Sequence, residues 1–375
     1  MVHAKDPASF AELQARLRLH RRNPRGDGAT ESLKGLAAPD LEPEAFSQML
    51  QRAKAIYGPD SREEVTSDDA VESRVVAGGV CVFVQSANLA VDPNGGVRAS
   101  APTFAQHWRL CPGERFAGQP CLGFGSGFLV APDVVVTAGH CVDEAQVPLA
   151  DVRLLFGFEW ENGGARMRWS EEEVHRIADV QYVVDEASGA DWGVVRLARP
   201  VVGIAPLTVT TRAMKKGDAV YVIGHPVGLP KKIARQAWVT RDHAASWFET
   251  NLDTFGGNSG SPVFHASSHE VCGILVRGAR DFVKRPEGCY VATTFPLEGG
   301  GEAVTRVSEW AGAVKQIKTQ GIADVASISA PVPRTGTADG PWPRREATRS
   351  IDRARLKRFL EEHFTAKEMQ SWLAD

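Results

Sequence analysis

Short apolar runs separated by turn-forming residues fill the middle of this chain. Many such runs at close spacing are typical of an all-β sandwich or barrel. Two of them flank Ala131-Pro132-Asp133 and predict a hairpin. The runs together predict strands at Val80–Val84, Gly127–Val130, Val134–Ala138, Val152–Phe156, Val194–Leu197, Ala219–Ile223, Gln236–Val239, Val271–Val276 and Cys289–Thr294. The pattern therefore predicts an all-β domain.

The apolar spacing changes to a helical period at both ends of the chain. Ser9 and Glu12 have the spacing of a capping box, as do Thr365 and Glu368. Each terminal extension is interpreted either as a docking segment or as packed or solvated helix. Residues 86–120 are predicted to be an extended loop. We predict a helical N-terminal extension at 1–54, the β domain at 55–318, a linker at 319–348 and a helical C-terminal tail at 349–375.

Composition narrows the functional classes. The 375 residues are 43% hydrophobic, enough for a sizeable core, and carry a net charge of −3. That charge favours no nucleic-acid partner and no anionic membrane surface. No apolar run has the length that a membrane span needs. The first ten residues lack the apolar centre of a signal peptide, so we expect a cytoplasmic protein.

One glycine-rich stretch, 253–264, carries candidate chemistry. Gly256, Gly257 and Gly260 allow backbone conformations that other residues avoid, and Ser259 lies among them. A serine hydroxyl becomes a nucleophile when a base takes its proton and donors stabilise the oxyanion. The alternative interpretation is an ordinary Gly/Ser turn.

Two upstream stretches favour the catalytic interpretation. The sequence Thr-Ala-Gly-His-Cys places His140 after an apolar run, and Asp191 opens the run Asp-Trp-Gly-Val-Val-Arg-Leu. A structural histidine is the alternative for His140. Asp185 and Asp151 are alternatives to Asp191. The order His, Asp, Ser is that of the chymotrypsin-type arrangement.

These motifs resemble those of trypsin-like (chymotrypsin-fold) serine proteases, and most of all the bacterial glutamyl-endopeptidase-like branch. The resemblance covers about residues 55–318. It implies two six-stranded antiparallel β-barrels, flanked here by the helical extensions, with an active site between them. It also implies a serine endopeptidase that acts on protein or peptide substrates and uses no cofactor and no metal.

The resemblance assigns a role to each candidate residue. Ser259 attacks the scissile carbonyl, His140 transfers the proton, and Asp191 orients the histidine. The amides of Gly257 and Ser259 form the oxyanion hole. Asn258 stands where animal relatives carry an aspartate that pairs with a freed N-terminus, so that zymogen switch is not expected.

The resemblance also implies a specificity pocket. Asp253 lies six residues before Ser259, where trypsin-like enzymes carry the acidic pocket floor, and this predicts cleavage after Arg or Lys. A turn-capping aspartate is the alternative. Thr254 matches a pocket threonine of glutamate-specific relatives, but Leu275 replaces their pocket histidine. Two other functions stay open: a silent protease-fold binding module and a protein-quality-control protease.

Six cysteines permit three disulfides without requiring any. Cys272 and Cys289 fall on consecutive predicted strands and could pair. Cys121 and Cys141 lie near the position where many trypsin-like proteins have a bridge. Cys81 and Cys111 have no evident partners. In a reducing cytosol all six would be thiols.

Overall fold

The computed structural model describes residues 56–66, 71–185, 188–242, 244–278, 281–297 and 301–328. The predicted helical N-terminal extension (1–54) and the helical C-terminal tail (349–375) lie outside the described residues. So does most of the predicted linker. The role predicted for both ends, recruitment of a protein partner, stays a prediction.

Strands are the main regular secondary structure of the described chain. They are β1 Ile56–Tyr57, β2 Arg62–Glu64, β3 Val80–Gln85, β4 Leu89–Val91, β5 Val97–Ala99, β6 Gly125–Ala131, β7 Val134–Thr137, β8 Val152–Phe156, β9 Trp160–Glu161, β10 Gly164–Ala165, β11 Arg168–Trp169, β12 Val174–Val184, β13 Asp191–Leu197, β14 Ala219–Gly224, β15 Lys232–Arg241, β16 Trp247–Thr250, β17 Pro262–His265, β18 Val271–Arg277, β19 Phe282–Lys284, β20 Tyr290–Ala292, β21 Thr294–Phe295 and β22 Glu302–Arg306. The helices within these ranges are α1 Val71–Gly78, α2 Phe104–Trp108 and α3 Val307–Ile328.

The first barrel closes with six antiparallel strands in the order β12-β13-β7-β6-β3-β8. Its strands are rich in valine, leucine and phenylalanine, which suit a pleated and buried surface. Alternate residues point to opposite faces of each strand. Phe83, Leu129, Val135 and Leu154 therefore fill one buried cluster, while their chain neighbours face the rest of the domain.

The second barrel closes with six antiparallel strands in the order β14-β17-β18-β22-β16-β15, because β14 pairs with both β17 and β15. Strand β2 adds to it by pairing with β15. The interior includes Val222, Phe248 and Val263. The two barrels of six strands confirm the predicted fold class.

A shared core joins the two barrels to the final helix. Phe128 of the first barrel and Ile274 of the second belong to one buried cluster with Trp310 of α3. The rings of Phe128 and Trp310 meet edge to face, with centroids 5.9 Å apart. Helix α3 was expected around Trp310. It continues to Ile328, ten residues past the predicted domain end at 318.

The segment 86–120, predicted to be an extended loop, contains regular secondary structure. Strands β4 and β5 pair with each other, and Thr103 opens α2 with a complete capping box that includes Gln106. Phe104 and Trp108 then join a buried aromatic cluster around Phe255. The capping-box spacing was a signal in the sequence that the composition of the segment concealed.

The cysteine pairing differs from both expected bridges. Cys111 forms a disulfide with Cys289, across 178 residues of chain. Cys81, Cys121, Cys141 and Cys272 form no disulfide in the described part of the chain. Burial raises the pKa of Cys81, Cys121 and Cys272 far above the usual range of a thiol. Pairing depends on which Cβ atoms the fold brings together, and strand order alone does not specify that.

Candidate active site

His140 lies in a short 3-10 turn, Gly139–Cys141, that directly follows strand β7. Gly139 is needed there because a Cβ at this position would overlap the carbonyl oxygen of Val183 and approach that of Trp192 at 2.9 Å. Those carbonyls belong to strands β12 and β13. The missing side chain therefore lets the histidine turn lie directly against the strand that begins at Asp191.

Asp191 holds His140 by two contacts. Its Oδ2 lies 2.8 Å from His140 Nδ1, and its Oδ1 accepts the backbone N–H of His140 at 3.2 Å. The carboxylate is fully buried and the imidazole is 10% exposed. A carboxylate at this distance from Nδ1 favours the tautomer in which Nδ1 carries the proton. Nε2 can then accept a proton. Of the two rivals of Asp191, Asp185 accepts the hydroxyl of Ser188 at 2.7 Å, and Asp151 lies in a short 3-10 turn before β8.

Ser259 lies in the second of two consecutive backbone turns, which share Asn258. Asn258 donates its N–H to Phe255 O at 3.0 Å, and Ser261 donates to Asn258 O at 2.9 Å. Glycine is third in both turns, with φ +86° at Gly257 and +88° at Gly260. A positive φ at this position is the requirement of a type II turn, and glycine meets it without strain.

Glycine is also required at position 260 because no space is available for a Cβ. A Cβ there would overlap the carbonyl oxygen of Ser126 and the hydroxyl of Thr137, both in the first barrel. Ser126 donates its N–H to Ser259 O at 2.8 Å. Cys141, the residue after His140, places its Sγ 3.7 Å from the same oxygen. Backbone contact thus brings the serine turn of the second barrel against the histidine turn of the first.

Gly257, a predicted oxyanion residue, is fixed on both sides. Its carbonyl accepts the Ser126 hydroxyl at 2.8 Å, and a Cβ would meet His225 O at 2.8 Å. The preceding residue, Gly256, donates its N–H to Asp281 Oδ2 at 2.9 Å. Asp281 is an important residue that the sequence did not single out, because nothing in its local sequence indicates this contact.

His225 is a buried group beneath this turn. Its Nδ1 donates to Leu229 O at 3.0 Å, and its ring stacks on Phe158. Burial, helped by the charge of Lys231, lowers the pKa of His225 to about 3. The imidazole is therefore neutral at physiological pH, where it serves as packing.

Asp253 does not face an open pocket. Its Oδ1 accepts the backbone N–H of Tyr57 at 2.6 Å, and its Oδ2 accepts both the N–H and the hydroxyl of Ser61, at 2.7 and 2.6 Å. The side chain is almost completely buried, and burial raises its pKa. The alternative interpretation, an aspartate that ties a loop, fits these contacts better than the role of pocket floor.

Leu275 and Thr254, the other two predicted pocket residues, have different surroundings. Leu275 is fully buried in the core of the second barrel. Thr254 is fully buried too, but its hydroxyl donates to Glu302 Oε2 at 2.6 Å. Glu302 opens strand β22 and had no place among the sequence candidates. A charged residue directly before the apolar pair Ala303-Val304 was the available signal.

Within the described ranges, no group of three or more His, Cys, Asp or Glu side chains is arranged to hold a metal ion. The helices that the structure describes include none with both the length and the hydropathy to cross a bilayer.

The comparisons with known proteins agree with the motifs. Residues 125–274, which include all three candidate catalytic residues, match the family model of the trypsin-like peptidase domain. A search of curated protein sequences finds no match.

Solved structures include two proteases similar to this chain. One is the VesB protease of Vibrio cholerae, with 13% identity and a TM-score of 0.43 over 70% of this chain and 68% of that one. The other is a Glu endopeptidase in complex with MPD, with 13% identity and a TM-score of 0.41 over 71% of this chain and 99% of that one. Both TM-scores are below 0.5, so neither similarity supports a conclusion about this chain. On the family match, residues 125–274 belong to a trypsin-like peptidase domain, the domain of serine endopeptidases, which are hydrolases.

Proposed function

We propose that this endopeptidase cleaves peptide bonds through a His140–Asp191–Ser259 triad. The observation that carries the proposal is the His140–Asp191 pair at 2.8 Å, placed against the turn that presents Ser259. In this mechanism Ser259 Oγ attacks the scissile carbonyl carbon while His140 Nε2 takes the hydroxyl proton. The imidazolium then gives that proton to the leaving amine, and water hydrolyses the acyl-enzyme by the same route.

The oxyanion forms as the carbonyl carbon becomes tetrahedral. We assign its stabilisation to the backbone N–H groups of Gly257 and Ser259, since each lies within one of the two type II turns, which fix the direction of its peptide group. Asp281 and Ser126 act as positioning residues because they hold the turn through Gly256 N–H and Gly257 O.

The test of the triad is the rate of peptide cleavage by the full chain and by Ser259→Ala. We expect the variant to lose at least about 10⁴-fold in kcat. Cys81→Ser is a matched control, because it also changes a buried small side chain but lies in β3, in the interior of the first barrel. A full chain that cleaves no peptide or unfolded protein would instead favour a silent binding module.

The cellular compartment of the protein is a separate question, and we propose the cytoplasm. The N-terminal sequence favours the cytoplasm, whereas the Cys111–Cys289 disulfide is typical of an oxidising compartment. Alkylation of protein taken from its native cells, followed by mass spectrometry, decides between them. One protected pair at Cys111 and Cys289 would contradict a cytoplasmic location, and six alkylated thiols would support it.

A further inference from the structure

A short hairpin beside the second barrel contacts the serine turn. Its strands, β19 and β20, form a two-stranded sheet of their own. Asp281, directly before β19, accepts the N–H of Gly256 at 2.9 Å. The ring of the next residue, Phe282, packs on that of Phe255 with centroids 4.7 Å apart. The hairpin therefore contacts two successive residues of the turn that leads to Ser259.

One disulfide ties this hairpin to the segment that follows α2. Cys289 lies directly before β20, and its partner Cys111 lies shortly after α2. Two backbone hydrogen bonds flank the bridge. Cys111 donates its N–H to Tyr290 O at 2.8 Å, and Tyr290 donates its N–H to Arg109 O at 3.0 Å. Aromatic contacts and this covalent joint together hold the hairpin in place.

The hairpin depends on the joint because it buries little of its own surface. Each strand has three residues, of which one is buried: Phe282 in β19 and Tyr290 in β20. A two-stranded hairpin of this kind is marginally stable by itself in water. Segments with few buried apolar contacts also open locally at a low cost in free energy. Without the bridge, the hairpin can therefore leave the serine turn while both barrels stay folded.

From this geometry we propose that the Cys111–Cys289 disulfide positions the active site and places it under redox control. With the bridge closed, Asp281 stays on the Gly256 N–H and keeps the turn in shape. With the bridge reduced, this support is lost for part of the time, and the adjacent N–H of Gly257 no longer keeps its direction toward the oxyanion. This inference rests on the proposed catalytic function and adds a regulation to it.

The bridge is accessible to a small thiol reagent. Cys111 and Cys289 are half-buried, and their neighbours Pro112 and Gly288 are exposed. A thiolate of dithiothreitol attacks one sulfur, the S–S bond breaks and a mixed disulfide forms, which the second thiolate of the reagent then resolves. The protein gains two electrons and two protons as two S–H groups, while the reagent becomes its cyclic disulfide. Oxidised glutathione reverses the change and leaves as two thiols.

The test measures kcat and KM of the full chain on one peptide substrate before and after reduction by dithiothreitol. We expect kcat to fall by about tenfold and KM to change by less than about threefold, because the oxyanion donors act in the transition state. Oxidised glutathione should restore the rate. Cys111→Ala/Cys289→Ala should have the rate of the reduced wild type and respond to neither reagent.

The matched control is Cys272→Ala, which removes a buried thiol from the interior of the second barrel and leaves the bridge intact. It should respond to both reagents as the wild type does. A response that is lost in this control as well would contradict the assignment to Cys111 and Cys289.

Two further variants test whether the disulfide acts through Asp281. Asp281→Ala removes the acceptor of the Gly256 N–H, so its kcat should be low in both redox states and change by less than about twofold on reduction. Asp281→Asn keeps an oxygen acceptor and should retain most of the wild-type response. General destabilisation by reduction would instead make Asp281→Ala more sensitive to dithiothreitol than the wild type.

Hydrogen exchange in Ser259→Ala measures the same contact without catalysis. Reduction should speed the exchange of the Gly256 amide by about tenfold and leave the amides of β7 unchanged, because the opening is local. This measurement uses the unaltered cysteines, so it does not depend on the folding of the double cysteine variant.

The outcomes are distinct. An equal kcat in both redox states, an unchanged Gly256 exchange, or a reductant effect that persists in Cys111→Ala/Cys289→Ala would each overturn the inference. Absence of all cleavage in both states, together with faster Gly256 exchange on reduction, would reject the proposed function and support the inference about the turn.

Discussion

The two barrels present their candidate catalytic residues by different physical means. In the first barrel, His140 and Asp191 are joined side chain to side chain at 2.8 Å, on strand ends that are themselves regular. In the second, Ser259 is placed by backbone: two turns, two glycines with positive φ, and hydrogen bonds to main-chain groups. A side-chain contact can be removed while the fold is kept, but a backbone turn changes shape when its residues change.

This difference predicts two kinds of failure. Substitutions in the first barrel should lower the rate constant of a well-folded enzyme. Substitutions in the serine turn should disturb the turn itself, and with it the position of the nucleophile and of the oxyanion donors. The four predictions below test that distinction, from the largest expected effect to the smallest.

The largest effect is expected from Asp191→Asn. The amide can donate to Nδ1, which favours the histidine tautomer that cannot accept the serine proton, so kcat should fall by about 10⁴-fold. The thermal midpoint should change little, and KM should change less than kcat. Asp185→Asn, at the rival position, should retain full activity. A similar loss in both variants would contradict the assignment of Asp191.

Gly260→Ala should also abolish most activity, but through structure. The new Cβ would overlap Ser126 O and the Thr137 hydroxyl, so the turn must move, and a displacement near 1 Å can cost about 100-fold in rate. Gly95→Ala is the matched control, because Gly95 has a φ of +95° with no heavy atom within 4 Å of the added Cβ. It should lose only about 1 kcal/mol of stability, the usual cost of a positive φ, and none of the activity.

If both glycine variants lost activity equally, backbone strain alone would explain the effect and the contact between barrels would be unimportant. Peptide cleavage and thermal unfolding of the two variants, measured side by side, make this comparison.

Acid should destabilise the second barrel through His225. The folded-state pKa is about 3 and the usual value is 6.5, so below pH 6.5 the unfolded chain binds a proton that the folded chain does not. Stability contributed by the neutral imidazole is complete above pH 6.5 and is lost as pH falls toward 3, by up to about 1.4 kcal/mol per pH unit. Urea unfolding between pH 4.5 and 7.5 measures this slope.

His225→Gln is the control for that experiment, since glutamine keeps a donor near Leu229 O and does not titrate. The difference in unfolding free energy between the wild type and the variant should narrow as pH falls. A difference that stays constant with pH would show that folding does not lower the pKa of His225.

The smallest effect is expected at a link between the barrels. Thr305, in β22 of the second barrel, donates its hydroxyl to the carbonyl oxygen of Asp191 at 2.9 Å. Thr305→Val keeps the shape and leaves a buried acceptor without this donor, so we expect a loss of about 1 kcal/mol of stability. Thr305→Ser should restore most of it. An unaltered thermal midpoint in Thr305→Val would show that this hydrogen bond contributes nothing to stability.

Local sequence was sufficient to predict several strands and to single out the three candidate catalytic positions. The strand Val152–Phe156 was predicted with its observed bounds, because apolar runs and turn residues act over a few positions. The long strand β12, Val174–Val184, was missed. Its polar residues at alternating positions obscure the apolar pattern, and pairing with β13 over most of its length forms it.

The sequence by itself determined an all-β domain, a glycine-rich serine turn and the stretches that carry His140 and Asp191. These features depend on residue type and on spacing within a few positions. Tertiary structure alone decided that Asp253 ties down Tyr57 and Ser61, that Cys111 pairs with Cys289, and that Glu302 lies beside Gly278. In each case the partners are far apart in sequence, and closure of the second barrel and its added segments determines where their side chains meet.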